Sequence, residues 1–386
     1  MAVAELDVHA SRSPTLAAFV AYFLRLGTFG FGGPIALAGS MQRDLVEERG
    51  WVTKDEYMKG LALAQLAPGP LAAQLAIYLG WAKAGLSGAT LVALAFVLPS
   101  FVMVIGISVA YVRFGGLAWM QSAFYGIGAA VIAIILRSAY KLVRLTIGRD
   151  RLLWAIFIAN AIATAVLEAE VISLILGCGV ATLAVRLWKP RASAALSIVS
   201  PLAFAASATA IPAASGTLFW FFVKAGAFVF GSGLAIVPFL YGGVVRDHGW
   251  LTDQQFLDAV AVAMITPGPV VITVAFIGYL VQGFPGAVLA SLGVFLPCYL
   301  FVVLPAPFYS RFADDARLKA FVDGVTTAAT GAIGGAVYVL ARRAIFDVPT
   351  LLIFGGTLAC LVWFKRLPEP IVIAIVGIAS VLFRAA

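Results

Sequence analysis

The chain is built from two similar halves, and this internal repeat restricts its fold more than any other feature. An offset of 199 residues places Phe23 against Phe222, and after one deletion an offset of 198 places Pro99 against Pro297. Between these points the same residue types recur in register. The matched pairs include Gly27 with Gly226, Phe29 with Phe228, Gly50-Trp51 with Gly249-Trp250, Pro68-Gly69-Pro70 with Pro267-Gly268-Pro269, and Gly80 with Gly278. The fold must therefore contain two copies of one topology.

The composition of both halves is typical of proteins embedded in a lipid bilayer. Hydrophobic residues make up 62% of the 386 residues and charged residues 11%, against about 45–50% and 25% in soluble domains. The apolar runs approach the roughly 20 residues that a membrane-spanning helix needs. We therefore predict an all-α polytopic membrane protein with about 10–13 membrane segments. The net charge of +8 fits basic cytoplasmic loops, and no nucleic-acid partner is expected.

The repeat also gives the domain organisation. We predict a polar N-terminal leader over 1–14, a first repeat over 15–190 and a second repeat over 216–386. The leader lacks a basic start and is not expected to be a cleaved signal peptide. The stretch 191–215 between the repeats is read as either a linker or one further span.

Each half has two interrupted apolar stretches followed by four uninterrupted helices. The interruptions lie around 30–34 and 68–70 in the first half, and around 231–233 and 267–269 in the second. The flanking pieces are too short to span a bilayer and are read as half-helices or re-entrant hairpins. Paired halves of this kind occur in transporters with inverted repeats, so we expect the two halves to have opposite orientations.

The four breaks predict a binding site for an anion. Backbone that leaves the helix within a bilayer is stable only when it is buried in protein or lines a wet cavity. The new helices begin at Pro34, Pro70, Leu234 and Pro269, so their free N–H groups and positive dipole ends would point into the protein. Close helix packing would explain one such motif equally well; four in register favour a site. The predicted substrate-binding residues in and beside the breaks are Gly30, Gly32, Gly33, Pro34, Gln65, Pro68, Gly69, Pro70, Gly231, Ser232, Gly233, Pro267, Gly268 and Pro269.

Charged residues within the apolar runs support this prediction. Arg25 and Lys224 occupy the same repeat position, just before the first break of each half. They are predicted to balance the charge of the anion, although snorkelling towards the membrane surface is an alternative. Asp323 lies in an apolar run and is the candidate for proton coupling; an ion pair with a neighbouring cation explains it as well.

Other kinds of site find no support in the sequence. Cys178, Cys298 and Cys360 are far apart and have neither metal-ligand nor disulfide spacing. The two histidines, His9 and His248, cannot build a metal centre. No phosphate-binding loop, paired carboxylates or catalytic triad is apparent. We therefore expect no metal, no cofactor and no enzymatic activity.

Four stretches resemble the chromate ion transporter family, in its long form with two fused homologous domains. They are FGFGGPIA at 29–36, GWVTKDEY at 50–57, LAQLAPGP at 63–70 and GLSGATLVALAFVLPSF at 85–101. Each recurs in altered form in the second half, where Ser232, Gly233 and Met264 replace Gly33, Pro34 and Gln65. These replacements indicate unequal roles for the two halves.

The resemblance implies a multi-pass protein of the bacterial inner membrane. It would export chromate, confer chromate resistance and use the membrane potential or an ion gradient, with a proton as the candidate coupling ion. It also implies halves of opposite orientation. Sulfate or another oxyanion as substrate, and a passive anion channel, remain alternatives, because both chromate and sulfate are tetrahedral dianions. The oligomeric state, a homodimer included, is left open.

Overall fold

The computed structural model describes residues 14–31, 33–115, 117–168, 171–187, 215–229, 233, 236–311, 315–364 and 367–385. The secondary structure of this part of the chain is entirely helical. The helices of the first half are α1 (Leu16–Phe29), α2 (Gly33–Met41), α3 (Lys54–Leu66), α4 (Leu71–Phe114), α5 (Ala118–Thr146), α6 (Arg151–Leu167) and α7 (Ile172–Leu187). Those of the second half are α8 (Ser215–Ala227), α9 (Ile236–Leu240), α10 (Asp253–Ile265), α11 (Thr273–Val303), α12 (Ala316–Ala344), α13 (Val348–Trp363) and α14 (Glu369–Ala385).

Helices α1 and α2 form a re-entrant hairpin. The chain folds back at Gly30, so that the hydroxyl of Tyr22 donates to Asp44 at 3.2 Å and the rings of Phe19 and Trp51 lie 6.4 Å apart. A π-helix, Gln42–Glu48, extends the returning helix of the hairpin. In the second half, π-helix Tyr241–Asp247 follows α9. There the ring of Phe221 lies 5.4 Å from that of Trp250. The first predicted interruption of each half is therefore a helical hairpin.

The second interruption is also a hairpin tip. Helix α3 ends at Leu66, and α4 begins again at Leu71 and runs back along it. A β-carbon on Gly60 would lie 2.4 Å from the ring of Tyr78, which shows how closely the two helices approach. In the second half, α10 and a 3-10 turn, Val270–Ile272, enclose the corresponding tip.

A tight turn inside α4 joins this hairpin to a full membrane crossing. Ala84 and Gly85 leave the helical conformation, and Gly85 has a positive φ of +59°. Beyond the turn, a β-carbon on Gly88 would lie 2.1 Å from the carbonyl oxygen of Gly80, so only glycine permits the close return. Helix α11 repeats the turn at Gln282 and Gly283. The long second segment of each helix then crosses the molecule.

Equivalent helices of the two halves run antiparallel. The hydroxyls of Thr90, early in the segment of α4 after the turn, and Tyr299, late in α11, lie 2.7 Å apart. Further along α4, the ring of Phe101 meets that of Phe284, early in the corresponding segment of α11. Helices α5 and α12 also run antiparallel, because Tyr125 near the start of α5 donates to Asp347 beyond the end of α12. Equivalent helices that meet antiparallel require an inverted repeat. The predicted inversion is confirmed.

The halves also exchange their packing partners. Helix α5 of the first half packs against α13 and α14, and α12 of the second half packs against α6 and α7. Small residues allow this closeness: β-carbons on Gly331 and Gly335 of α12 would collide with the backbone oxygens of Phe157 and Ala161 of α6. The largest buried apolar cluster accordingly contains residues of both halves. Neither half has a complete core of its own.

Two ends of the molecule can be distinguished by their ion pairs. At the Asp150 end, Arg186 bonds Asp150 at 3.0 Å and also pairs with Asp323. At the Asp253 end, Glu168 and Asp253 pair with Arg246 and Arg343. The hairpins of the first half open towards the Asp150 end and those of the second half towards the Asp253 end, as the inversion requires.

Within the described residues, four helical stretches are long and apolar enough to cross a membrane. They are Leu71–Phe114, Ala118–Thr146, Val270–Phe308 and Ala316–Ala344. Shorter apolar helices, among them α6, α7, α13 and α14, pack around them. Their outer faces carry exposed apolar side chains such as Trp363 and Phe383, as lipid contact requires. Residues 1–13 and 188–214, which include most of the predicted leader and linker, lie outside the described residues, so the predicted domain boundaries stay predictions.

Candidate functional site

The hairpin tips of the two halves meet in pairs. The N–H of Gly69, in the second tip of the first half, donates to the carbonyl oxygen of Val229 at 2.5 Å. The N–H of Gly268, in the equivalent tip of the second half, donates to Gly30 at 2.9 Å. These two bonds are repeat equivalents of each other. Each half therefore contributes one donor tip and one acceptor tip to a single two-fold arrangement.

Helices α4 and α11 support these tips from behind. The hydroxyl of Ser100 in α4 donates to Pro267 at 2.7 Å and lies 3.3 Å from the carbonyl oxygen of Gly27. Cys298 of α11 occupies the repeat position of Ser100, is fully buried and packs beside Gly69. Each half thus braces a tip of the other half, and Ser100 does so with a hydrogen bond.

Glycine is required at both donor tips. Gly69 has φ +144° and Gly268 has φ +96°, a region that other residues rarely enter. A β-carbon on Gly268 would also lie 2.0 Å from the hydroxyl oxygen of Ser100. The tips are therefore fixed by both backbone conformation and contact distance.

The helix starts at the tips are buried and uncapped. Pro34 lies in the first turn of α2, while Pro70 and Pro269 directly precede the helical residues that follow them. Neither Pro70 nor Pro269 provides a side-chain cap, so the first N–H groups of these helices point into the protein unpaired by any cap. These N–H groups suit a negative solute. The buried side-chain oxygen of Gln74, one turn into α4, has no hydrogen-bond partner among the described residues, and as an acceptor it does not favour an anion.

A small cavity lies against the tips. Its volume is about 20 Å³. It is lined by Gly30, Phe31, Ala263, Met264, Thr266, Gly268, Val270, Glu369 and Pro370. A cavity of this size holds about one water molecule, and a tetrahedral oxyanion is larger. The tips are thus packed too closely in this arrangement to admit an oxyanion.

The cations predicted to balance the anion lie outside this cavity. Arg25 and Lys224 are both exposed, and neither forms an ion pair with a described residue. Gln65 is exposed as well, whereas Pro68 is half-buried and Pro267 and Gly233 are buried. The positions Gly32, Gly231, Ser232 and Leu234 lie outside the described residues. The binding roles of all these residues stay predictions.

Asp323 forms an ion pair with a neighbouring cation, which was the alternative to a role in proton coupling. It pairs with Arg186 at the Asp150 end, away from the residues that line the tip cavity. Arg186 also donates to Asp150, and this hydrogen bond lowers the pKa of the Asp150 carboxyl below its ordinary value. The ion pair offers no support for a role of Asp323 in proton coupling.

The pair Arg137 and Glu369 was not predicted from the sequence. Arg137 lies in the middle of α5 with only 14% of its side chain exposed, and its Nη1 is 3.9 Å from Oε1 of Glu369. Glu369, at the start of α14, lines the tip cavity. Arg137 directly follows the apolar run 126–136, and this position could have indicated a buried cation. It was instead grouped with the basic residues of the loop that follows.

A buried carboxylate, Asp258, was also missed. It lies in α10 and is 3% exposed. Its two oxygens accept hydrogen bonds from Tyr111 at 2.7 Å and Gln254 at 2.8 Å. Its repeat partner Lys59 is exposed and pairs with Asp55. The signal was the apolar stretch 259–265 that directly follows Asp258.

A second cavity, of about 190 Å³, opens at the Asp253 end. It is lined by Ala165, Glu168, Tyr338, Val339, Arg342 and Arg343. Glu168 is held between Arg246 and Arg343, which leaves Arg342 without an acidic partner among the described residues. A basic mouth of this kind raises the local concentration of anions. The described residues contain no cluster of side chains that would hold a metal ion.

Comparison with known proteins places the chain in one family. Residues 17–183 and 216–381 each match the family described as "Chromate transporter". The chain is 59% identical over 380 residues to a chromate transport protein of Cupriavidus metallidurans, covering 95% of this chain and 93% of that protein. It is 56% identical to a probable chromate transport protein of Synechococcus elongatus, covering 98% of each.

A more distant relative covers nearly the same length. A chromate transport protein of Pseudomonas aeruginosa is 34% identical over 93% of this chain and 90% of its own. No solved structure matches the chain significantly. The family consists of membrane transporters, so the protein is a transporter and not an enzyme. The two family matches in tandem, together with these identities over nearly the whole chain, identify the chain as a member of the chromate transporter family.

Proposed function

We propose that this protein exports chromate from the bacterial cytoplasm by secondary active transport and so confers chromate resistance. The observation that carries the proposal is the meeting of hairpin tips from both halves, at which the helical segments after Pro70 and Pro269 begin without a side-chain cap. Such a centre offers backbone N–H groups and positive helix ends to a tetrahedral dianion. The similarity to proteins named for chromate transport supports chromate as the substrate.

The inverted repeat supports alternating access. The bonds from Gly69 to Val229 and from Gly268 to Gly30 are equivalent, so breaking one set of contacts while keeping the other produces two related states. One state would open the centre towards the Asp150 end and the other towards the Asp253 end. All four tips come from one chain, so a single chain provides a complete pathway.

The distribution of basic residues supports an orientation in the inner membrane. Described basic residues are concentrated at the Asp150 end, which includes Arg43, Lys54, Lys59, Arg144, Arg149, Arg151, Arg186, Arg317 and Lys319. At the Asp253 end the described basic residues are fewer, namely Arg113, Arg246, Arg342 and Arg343. By the positive-inside rule the Asp150 end faces the cytoplasm.

Everted inner-membrane vesicles test the proposal. Vesicles that contain the protein should accumulate chromate when energised, and this uptake should collapse with an uncoupler. Dissipating the membrane potential and the pH gradient separately identifies the driving force. Accumulation of labelled sulfate in preference to chromate would assign the protein to sulfate transport, and chromate flux that never exceeds equilibrium would indicate a passive channel.

The charge assignment is tested in the same vesicles. Arg25→Ala and Lys224→Ala should abolish chromate accumulation while the proteins remain in the membrane. Arg113→Ala is the matched control, because Arg113 is exposed at the end of α4, where its guanidinium lies over the ring of Phe114. Full accumulation by both variants would show that neither cation meets the anion.

A further inference from the structure

Arg137 is a buried cation whose hydrogen-bonding groups are almost unused. Its guanidinium carries five N–H donors. Among the described residues its only polar contact is the 3.9 Å approach to Glu369, which is too long for a hydrogen bond. A charge with 14% exposure is costly to bury without close partners. The side chain therefore retains unfilled capacity for an anion.

Glu369 connects this cation to the transport centre. It lines the tip cavity together with Gly30 and Gly268, the two residues joined by the hydrogen bond between tips. It precedes Pro370 in the first turn of α14, which packs against α5 and α10. The carboxylate thus lies between the cavity and the guanidinium.

The charged groups described around Glu369 are all cations. From α5, Arg137 and Lys141 act on it electrostatically. The residues of α10 that share the cavity with it are uncharged, namely Ala263, Met264 and Thr266. The described residues therefore offer Glu369 no competing acid and Arg137 no second carboxylate.

We infer that Arg137 is the cation that binds the transported oxyanion. When no anion is bound, the carboxylate of Glu369 pairs with Arg137 and so competes with the anion for it. A carboxylate and a tetrahedral oxyanion present similar oxygen acceptors to a guanidinium. They cannot both remain charged beside one cation within a low-dielectric interior. This inference deepens the proposed function and rests on it.

The competition predicts coupling to a proton. When a dianion binds Arg137, repulsion favours uptake of one proton from water by Glu369, which turns the carboxylate into a neutral acid. Release of the anion returns the carboxylate to Arg137 and the proton to water. Anion binding and proton binding would then favour each other by equal amounts.

Chromate binding to the purified protein in detergent, measured by equilibrium dialysis at several pH values, tests the inference. Arg137→Gln should weaken binding roughly tenfold to a hundredfold, as expected for the loss of a charged hydrogen-bond donor. Arg137→Lys should weaken it less, because the charge remains while the bidentate geometry is lost. Arg144→Gln, on the same helix but exposed, is the matched control and should bind as the wild type does.

The role of Glu369 is tested by the ratio of wild-type to Glu369→Gln affinity at each pH. Chromate itself takes up a proton in weak acid, and the ratio cancels that effect. Glu369→Gln should bind more tightly than the wild type in alkali, and the two should converge in acid. A constant ratio across pH would overturn the competition.

Two further outcomes keep the inference separate from the proposed function. If wild-type vesicles transport chromate while Arg137→Gln and Arg137→Lys bind chromate as well as Arg144→Gln does, the inference fails and the function stands. If wild-type protein binds chromate with the expected variant effects but vesicles transport none, the proposed function fails. Melting temperatures of all variants establish that each remains folded.

Discussion

At the scale of residues, the transport centre depends on positions where one added atom would not fit. Gly268 combines a positive φ with a space closed by the hydroxyl of Ser100. That hydroxyl is itself engaged by Pro267, the preceding residue of the tip. Because the contact joins the two halves, a substitution at Gly268 should disturb the packing between them.

We expect Gly268→Ala to abolish chromate accumulation in vesicles and to lower the melting temperature. Adding Ser100→Ala should restore part of the stability, because it removes the atom that lies 2.0 Å from the new β-carbon while the backbone strain remains. Gly106→Ala is the control, since a β-carbon there meets nothing within 4 Å. Equal stability of Gly268→Ala and wild type would contradict this account.

The buried carboxylate Asp258 leads to a second prediction at this scale. Removing the hydroxyl that it accepts, with Tyr111→Phe, should destabilise the protein by about 1–3 kcal/mol, because a buried polar group loses its partner. Tyr78→Phe should have little effect, since the Tyr78 hydroxyl bonds no described residue. Thermal unfolding in detergent measures both. A smaller loss for Tyr111→Phe than for Tyr78→Phe would rule out the proposed bond.

At the scale of elements, the repeated unit is a pair of hairpins followed by a crossing helix. The break at Gly85 reverses the chain, and the approach of Gly80 to Gly88 holds the two segments of α4 together. The same arrangement in α11 gives two equivalent crossing helices that pack against each other. Their antiparallel contact is the element-level sign of the inversion.

Cross-linking distinguishes antiparallel from parallel packing of α4 and α11. In a background in which the three native cysteines are replaced, Thr90→Cys with Tyr299→Cys should be joined by a short bismaleimide, because the native hydroxyls lie 2.7 Å apart. Thr90→Cys with Val288→Cys is the control, since Val288 is the repeat equivalent of Thr90. Preferential linkage of the control pair would indicate parallel helices.

At the scale of the whole molecule, inversion places similar ion-pair groups at opposite ends. Arg186 joins α7 to α6 and α12 at the Asp150 end, while Arg343 joins α12 to Glu168 and Asp253 at the Asp253 end. Both groups link the first half to the second half. They hold the outer helices in place around the hairpin tips.

Labelling of single cysteines from either side of the membrane checks this arrangement. Arg149→Cys, at the Asp150 end, should react with an impermeant maleimide only in everted vesicles. Asp247→Cys, at the Asp253 end, should react only in right-side-out preparations. Reaction of both residues from the same side would exclude the inverted arrangement.

Much of the fold could be predicted from the sequence because its signals are local. Glycine and proline at 30–34, 68–70 and 267–269 mark breaks that the structure contains, and the apolar runs give the helices between them. The partners of Arg137 and Asp258 could not be predicted. Each depends on a residue more than a hundred positions away, and helix periodicity carries no information on such contacts.

The sequence by itself determined that the protein is a membrane transporter with two copies of one broken-helix unit, because hydrophobicity, breaks and repeat are all written in residue order. Only the tertiary structure decided which tips meet, which helices the halves exchange and which cation lies beside the cavity. A repeat reads the same along the chain whether its copies are parallel or inverted. The packing of one copy against the other is what orients them and brings Arg137 within 3.9 Å of Glu369, which lines the tip cavity.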